Sequence, residues 1–398
     1  MTATTLPLSG ADARAAAKSA AIPWYLAAVL LSSTFIAVGL LWDISWHQSV
    51  GRDSFWTLPH LLEQLGAFIA GTSCGWVVLH TTFAGSPEAR SESVRFWGFR
   101  GPLGAWVCIW GTLVMITSAP FDNWWHNAYG LDVMIISPPH MVLALGMNSL
   151  QFGAMLMALA PMNRATDPAE TKRLGWCYAY AAGVLVCMIT ILISEYSSDP
   201  NNWHNALFYK VTAGALTLFL VASARGSRLA WPATSTAAIA MGIILALMWI
   251  LPLFPATPKL APIYNPVTRM VPPHFPLLLI APAFVIDLLM RRTGRNHDWR
   301  LALAIGVSFV AVMLVVHWFF AEFMLSPWAR NAFFMADQWP YEAKLGPWRY
   351  EYWGLDVDAN GAWSAARFAT GLVIASVLGF ASARIGLWWG NGMARVRR

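Results

Sequence analysis

Charged residues are scarce in this chain of 398 residues. Asp, Glu, Lys and Arg together make up 12% of the sequence, whereas 57% of it is hydrophobic. A soluble domain of this length needs far more charge to cover its surface, so the composition excludes that class. The alternating segments of about ten residues that mark a membrane β-barrel are also missing. A helical membrane protein is the class that remains.

Cysteine is rare as well. The four cysteines lie inside apolar runs and form no CxxC pair: Cys74, Cys108, Cys177 and Cys187. They are interpreted as small core residues, and no disulfide framework is expected. The net charge of +6 is not gathered into one basic stripe, so no nucleic-acid partner is expected. Residues 1–22 are polar and Ala-rich and lack a cleavable signal, which predicts an uncleaved cytoplasmic tail.

Long apolar runs are what the sequence does contain. Their length matches the roughly 20 residues that a helix needs to cross the hydrocarbon. They predict an all-α, polytopic transmembrane helical bundle of about ten spans, in contact with membrane lipid, with both termini cytoplasmic. The predicted spans are 23–42, 61–84, 103–120, 141–161, 175–195, 205–223, 232–254, 275–290, 301–324 and 368–389. Pro276 and Pro282 predict an irregular or tilted eighth span.

The Lys and Arg residues give the orientation. Most of them fall in alternate connections, which predicts a multi-pass protein of the bacterial inner (cytoplasmic) membrane. The chain then divides into a cytoplasmic tail (1–22), a four-span region (23–161), additional spans (162–324), an aromatic-rich outer loop (325–367) and a last span with a basic tail (368–398). The outer loop is either an interfacial flap or partner surface, or an aromatic belt at the headgroups.

A motif is repeated in the first two outer connections. DISWHQSVGRDSFWTLPH runs from Asp43 to His60, and DNWWHNAYGLDVMIISPPH runs from Asp122 to His140. Each begins with Asp and has His four residues later, Gly four further on and Asp two after that. Each closes with Pro-His at the start of the next span. Residues four apart on a helix share one face, so Asp and the first His point together, and the returning chain brings the second His to them.

One carboxylate and two imidazoles make a three-ligand set with room for water or substrate. That composition suits copper, zinc or iron at a reactive site on the periplasmic side, and divalent affinity generally peaks at copper. The predicted ligands are Asp43, His47 and His60 at one site and Asp122, His126 and His140 at the other. Asp53 and Asp132, with Arg52, are predicted to support the ligands by orienting a histidine or relaying protons. The alternative is structural, since Trp, His, Asp and Pro are ordinary at helix ends.

Weaker echoes of the motif occur later in the chain. Asp199 and Trp203-His204 are similar to its start, and Pro272-Pro273-His274 is similar to its end. These halves lie in different outer connections, so a third metal site is the weaker hypothesis. His317, in span nine, is a candidate to face the interior of the bundle. His80 and His297 are treated as structural residues on the cytoplasmic side.

The first motif resembles the metal-binding segment of the C subunit of the copper membrane monooxygenases, the particulate methane and ammonia monooxygenases. That family's pattern of Asp, three residues, His, twelve residues, His falls on Asp43, His47 and His60. The flanking Trp46, Gln48, Arg52, Asp53 and Thr57 also fit the family's run. Its second pattern, Asn, three residues, His, thirteen residues, His, falls on Asp122, His126 and His140.

The resemblance implies a copper-dependent subunit that activates O2 and hydroxylates a small apolar substrate. It also implies A-like and B-like partner subunits, with a homo-oligomer as the alternative. Two departures are visible: Asp122 stands where the family has Asn, and this chain continues beyond the usual C-subunit length. Nothing in it resembles a cupredoxin domain. No catalytic residue is assigned.

Two other functions remain open at this point. The first is a membrane metal transporter or carrier, because internal repeats are common in transporters. A transport path needs polar residues at mid-membrane, where the sequence offers few candidates, chiefly His317. The second is haem ligation by the outer histidines, which leaves the Asp four residues before each His unexplained.

Overall fold

Long apolar helices dominate the computed structural model, which describes residues 22–51, 56–129, 136–259, 267–293, 297–336 and 356–398. Ten helices of 13 residues or more are described: α1 (Trp24–Ser49), α2 (Leu58–Phe83), α3 (Leu103–Tyr129), α4 (Pro138–Arg164), α5 (Pro168–Leu192), α6 (Ala206–Gly226), α7 (Pro232–Ile250), α8 (Ile280–Arg292), α9 (Asp298–Met324) and α10 (Ala365–Met393). Within this described part, every one of them except α8 is long and apolar enough to cross a membrane. The prediction of an all-α polytopic protein is confirmed at this level.

Short elements complete the connections. One-turn helices and 3-10 turns cover Pro87–Ser91, Ser194–Ser197, Pro200–Asn202, Leu251–Leu253 and Pro327–Ala329. A small antiparallel hairpin joins β1 (Val94–Phe96) to β2 (Phe99–Gly101), with Phe96 opposite Phe99. Trp97 and Gly98 form its two-residue turn, and both have positive φ, as a tight hairpin turn requires.

Small residues bring the first four helices together in two antiparallel pairs. Between α1 and α2, the Ser32 hydroxyl donates to the Gly66 carbonyl at 2.6 Å. Between α3 and α4, a Cβ on Gly111 would lie 2.9 Å from the Gly146 carbonyl oxygen, and a Cβ on Gly146 would be equally crowded by Met115. Such contacts need glycine, and they let two membrane helices approach closely along their length.

In the later part of the chain, α10 contacts the neighbouring helices. It packs along α6, where the Ser382 hydroxyl donates to the Gly214 carbonyl at 2.6 Å. Near the other ends of these helices, Arg225 donates to Asp298 and to Asn391, each at 2.8 Å. A buried guanidinium needs such partners, because an unpaired charge in an apolar setting is costly. The four cysteines lie buried as free thiols, as expected from the sequence.

The predicted eighth span has an unusual form. Residues 267–279 are mostly irregular, and α8 has only 13 residues. At the start of this segment, the Val271 carbonyl accepts from Ser45 and its N–H donates to Ser49, both in the last turns of α1. Near its end, the Asp287 carboxylate accepts from the first two N–H groups of α7. The irregularity expected around Pro276 is therefore confirmed, whereas Pro282 lies in the first turn of α8, where a helix tolerates proline.

The two ends of the bundle can be distinguished by their contacts. Trp24 at the start of α1 and Arg398 at the chain end line one cavity of about 370 Å³. The end that holds this cavity is called the opposite end. The end where α1 stops and α2 begins is called the cluster end.

Two helices extend further than the hydropathy pattern predicts. Spans one and three are predicted to stop at residues 42 and 120, yet α1 continues to Ser49 and α3 passes Pro120 to reach Tyr129. Hydropathy marks where the lipid ends, whereas the helix continues as long as its backbone hydrogen bonds do. The first halves of both motifs are therefore helical.

Candidate metal centres

The first motif folds into a compact group of ligand-type atoms. Asp43 and His47 lie four residues apart near the end of α1, and His60 lies in the first turn of α2. Asp43 Oδ1 is 3.3 Å from His60 Nε2, and Asp43 Oδ2 is 3.6 Å from His47 Nε2. One ligand atom from each residue lies within 4.8 Å of the other two. The structure therefore brings the three side chains together, as the sequence predicts.

The 3.3 Å separation of Asp43 Oδ1 from His60 Nε2 matches the spacing of two ligands on one metal ion. Two ligand atoms that are each about 2.0–2.1 Å from a tetrahedral ion lie about 3.3–3.4 Å apart. The Asp43 side chain is 15% exposed and that of His47 is 42% exposed, so the group opens to solvent on the side of His47. Three protein ligands with an open side fit an ion that also binds water or a small molecule.

The second motif repeats this arrangement less tightly. Asp122 lies near the end of α3 with His126 one turn later, and His140 lies at the start of α4. Asp122 Oδ1 is 3.3 Å from His126 Nε2 and 3.9 Å from His140 Nε2. Among the described residues, the first cluster alone brings three ligand-type atoms within 4.8 Å of one another. An ion at the second cluster would have to draw His126 and His140 together.

The helix pairs explain why each motif converges. Close packing of α1 on α2 and of α3 on α4 sets the end of one helix beside the start of the next. Thr112 on α3 donates to the Ala67 carbonyl of α2 at 3.1 Å, which joins the two pairs side by side. Pro59 and Pro139 occupy early helical positions, where their missing N–H has no partner to lose. Both clusters therefore lie at the cluster end.

Three predicted supporting residues cannot be compared with the structure. Arg52, Asp53 and Asp132 lie outside the described residues. So does much of the aromatic outer loop, including Trp339 and Trp348. Their predicted roles remain predictions.

A buried carboxylate near the first cluster was not predicted from the sequence. Glu63 is one helical turn beyond His60 on α2, and only 2% of it is exposed. It faces α1, since a Cβ on Gly39 would lie 2.5 Å from Glu63 Cγ. Its position three residues after His60, on the same face, was the available signal. Glu63 extends the polar surface from the first cluster into the helix pair.

The weaker echoes of the motif also meet. His204 Nε2 is 3.3 Å from Glu322 Oε1 at the end of α9. His274 and His317 line one small cavity beside them. Withdrawal of His274 from solvent lowers its pKa to about 4, and the negative charge of Asp199 opposes that shift. The imidazole of His274 is therefore neutral at pH 7.

No protein family, curated protein or solved structure matches the chain. The candidate centres therefore rest on the motif and on the geometry described above.

Proposed function

We propose that the chain is a subunit of a copper-dependent membrane monooxygenase or a related oxidoreductase that acts on O2 and a small apolar substrate. Asp43, His47 and His60 would hold one copper ion, and Asp122, His126 and His140 would hold a second ion. The observation that carries the proposal is the convergence of the first three ligand atoms within 4.8 Å. The oxygen chemistry comes from the resemblance of the motifs to the monooxygenase C subunit.

The chemistry of the donor set favours copper. Imidazole is a good ligand for copper, zinc and iron, and among divalent ions the affinity of such sites peaks at copper. Bound copper would supply a redox-active centre with an open position. The protein's part is to hold two imidazoles and one carboxylate in place, and to keep an apolar bundle beside them that admits an apolar substrate from the lipid. A-like and B-like subunits, or further copies of this chain, are the proposed partners.

We also propose that the segment from 275 to Arg292 is a tenth crossing, with both termini cytoplasmic and the clusters periplasmic. The contacts of Val271 with α1 and of Asp287 with α7 support it, because they lie at the two ends of the bundle. The shared cavity of Trp24 and Arg398 also favours an even number of crossings. A 13-residue helix rises about 20 Å, and the irregular residues before it supply the rest of the roughly 30 Å of hydrocarbon.

Metal analysis with copper EPR on the purified protein tests the function. The wild type is compared with a His47→Ala, His126→Ala double variant. The matched control is a His80→Ala, His297→Ala double variant, because both of these histidines are exposed and lie away from the clusters. We expect the cluster variant to lose the copper that the wild type and the control hold at the two clusters, followed by loss of substrate oxidation in membranes.

Equal copper in all three proteins would overturn the assignment of the ligands. Copper that depends on the clusters, without oxidation of any small apolar substrate by the chain and its partner subunits, would retain the metal sites and exclude the monooxygenase.

Metal transport is the second candidate, and Glu63 is the observation that favours it. A carboxylate buried in the α1–α2 pair beyond His60 is what an ion leaving the first cluster would meet. Polar residues inside a membrane bundle often mark an ion pathway. Copper uptake into sealed vesicles, lost in Glu63→Gln and retained in His80→Ala, would favour a carrier over an oxidoreductase.

A further inference from the structure

The second half of the chain holds a third group of imidazoles at the cluster end. His204 lies just before α6, His274 lies in the irregular segment before α8, and His317 lies on α9. Glu322 lies on α9, five residues after His317. The chain folds so that these separate stretches meet, and aromatic rings pack against His204 and His317.

The His204–Glu322 contact repeats the geometry of the two motifs. Its 3.3 Å separation equals the distance from Asp43 Oδ1 to His60 and from Asp122 Oδ1 to His126. The sequence echo suggests Asp199 as the carboxylate, but the structure puts Glu322 of a distant helix beside His204. His204 is fully buried, whereas the Glu322 side chain is 27% exposed. The His204–Glu322 contact therefore shares the imidazole–carboxylate distance of the clusters, but its imidazole is more deeply buried than His47 or His126.

In the described part of the chain, His317 has a buried ring nitrogen without a hydrogen bond, which is independent evidence for a bound ligand. It is 5% exposed, and within the described structure its Nε2 makes no hydrogen bond. Its ring stacks on Phe208 at a centroid distance of 3.7 Å and an interplanar angle of 8°, which fixes its orientation. A buried polar atom normally has a partner, because leaving it without one costs about 1–3 kcal/mol.

The space beside His317 has room for that partner. His317 and His274 line a cavity of about 30 Å³ together with Trp203, Phe320, Ala321 and Met324. A cavity needs only about 10–15 Å³ to hold a water molecule, so an ion with one water also fits. The described side chains do not bring three ligand atoms within 4.8 Å, so an ion would draw His274 and His317 towards His204 and Glu322.

We propose that His204, His274, His317 and Glu322 form a third site, which binds a transition-metal cation of the copper and zinc class. Three imidazoles and one carboxylate satisfy a four-coordinate ion, and neutral imidazole is the form that binds. The ion occupies the cavity and gives His317 Nε2 its partner. The site lies beyond the region that resembles the monooxygenase subunit, and it does not require the first two clusters to bind metal.

Equilibrium dialysis with Cu²⁺, followed by metal analysis and EPR, tests this site on the full chain. The background is the His47→Ala, His126→Ala variant, so that the first two clusters do not contribute. We expect one equivalent of Cu²⁺ with imidazole nitrogen couplings. We expect loss of that equivalent in His317→Ala and in His274→Ala.

The matched control is His297→Ala, because His297 precedes the same helix as His317 but lies exposed at the opposite end. His317→Gln and His274→Gln keep a polar side chain and serve if an alanine variant fails to fold. An unchanged equivalent in folded Gln variants, or no Cu²⁺ in the background protein, would overturn the proposal and leave a water-filled cavity. Binding of Cu²⁺ at the third site, with none at the first two clusters of the wild type, would instead contradict only the proposed function.

Discussion

At the scale of single residues, the two motifs differ in how their carboxylates are used. Asp43 directs one oxygen to His60 and the other to His47. Asp122 directs the same oxygen, Oδ1, to both His126 and His140. A side-chain amide has only one acceptor oxygen. An amide at position 122 can therefore reproduce the contacts of Asp122, whereas an amide at position 43 cannot reproduce both contacts of Asp43.

This difference gives a prediction for a matched pair of substitutions. We expect Asp43→Asn to weaken Cu²⁺ binding at the first cluster by roughly tenfold to a hundredfold or more. Loss of a residue that only hydrogen-bonds to a metal ligand already lowers affinity by that amount. We expect Asp122→Asn to change binding at the second cluster by only a few-fold. Each is measured by equilibrium dialysis with the other cluster removed, by His126→Ala or His47→Ala. Equal losses would contradict the distinction between the two carboxylates.

At the scale of helices, the first cluster depends on how closely α1 approaches α2. Gly39 lies one turn before Asp43, and its missing side chain makes room for Glu63 and for the Pro59 carbonyl. The ligands sit on two different helices, so their separation follows the helix separation directly. Val271 holds the end of α1 from the other side through Ser45 and Ser49. The later half of the chain therefore supports the first cluster.

We expect Gly39→Ala to push α2 away and to lower both stability and metal binding. A Cβ there would lie 2.5 Å from Glu63 Cγ and 3.1 Å from the Pro59 carbonyl oxygen. Overpacking of this kind typically costs about 1–3 kcal/mol. Thermal unfolding in detergent and copper content measure the two effects.

Gly75→Ala is the control, since nothing lies within 4 Å of a Cβ at that position of α2. It should keep its metal and gain up to about 1 kcal/mol of helix propensity. Full copper and unchanged unfolding in Gly39→Ala would show that the helix approach does not set the cluster.

At the scale of the whole molecule, the number of crossings decides which face each connection occupies. If the segment that ends in α8 crosses, Ser91 and Arg397 lie on one face of the membrane and Asn331 lies on the other. If it does not cross, everything after it changes face. The two arrangements differ for Asn331 and Arg397 but not for Ser91.

Labelling of single cysteines by a membrane-impermeant maleimide distinguishes the arrangements. We expect Ser91→Cys and Arg397→Cys to be labelled only from the cytoplasm, and Asn331→Cys only from outside, since all three residues are exposed. The wild type serves as the blank, because its four cysteines are buried. Labelling of Arg397→Cys from outside would exclude the tenth crossing.

The sequence by itself determined the helical membrane class, the place of nearly every long helix and the two Asp/His/His sets. Those features follow from local quantities, namely hydropathy over about 20 residues and helical spacing, which need no knowledge of distant contacts. The burial of Glu63 against α1 and the meeting of His204 with Glu322 were decided only by tertiary structure. Each depends on which helix packs against which, and residues more than 100 positions apart in sequence, such as His204 and Glu322, leave no periodic signal of their contact.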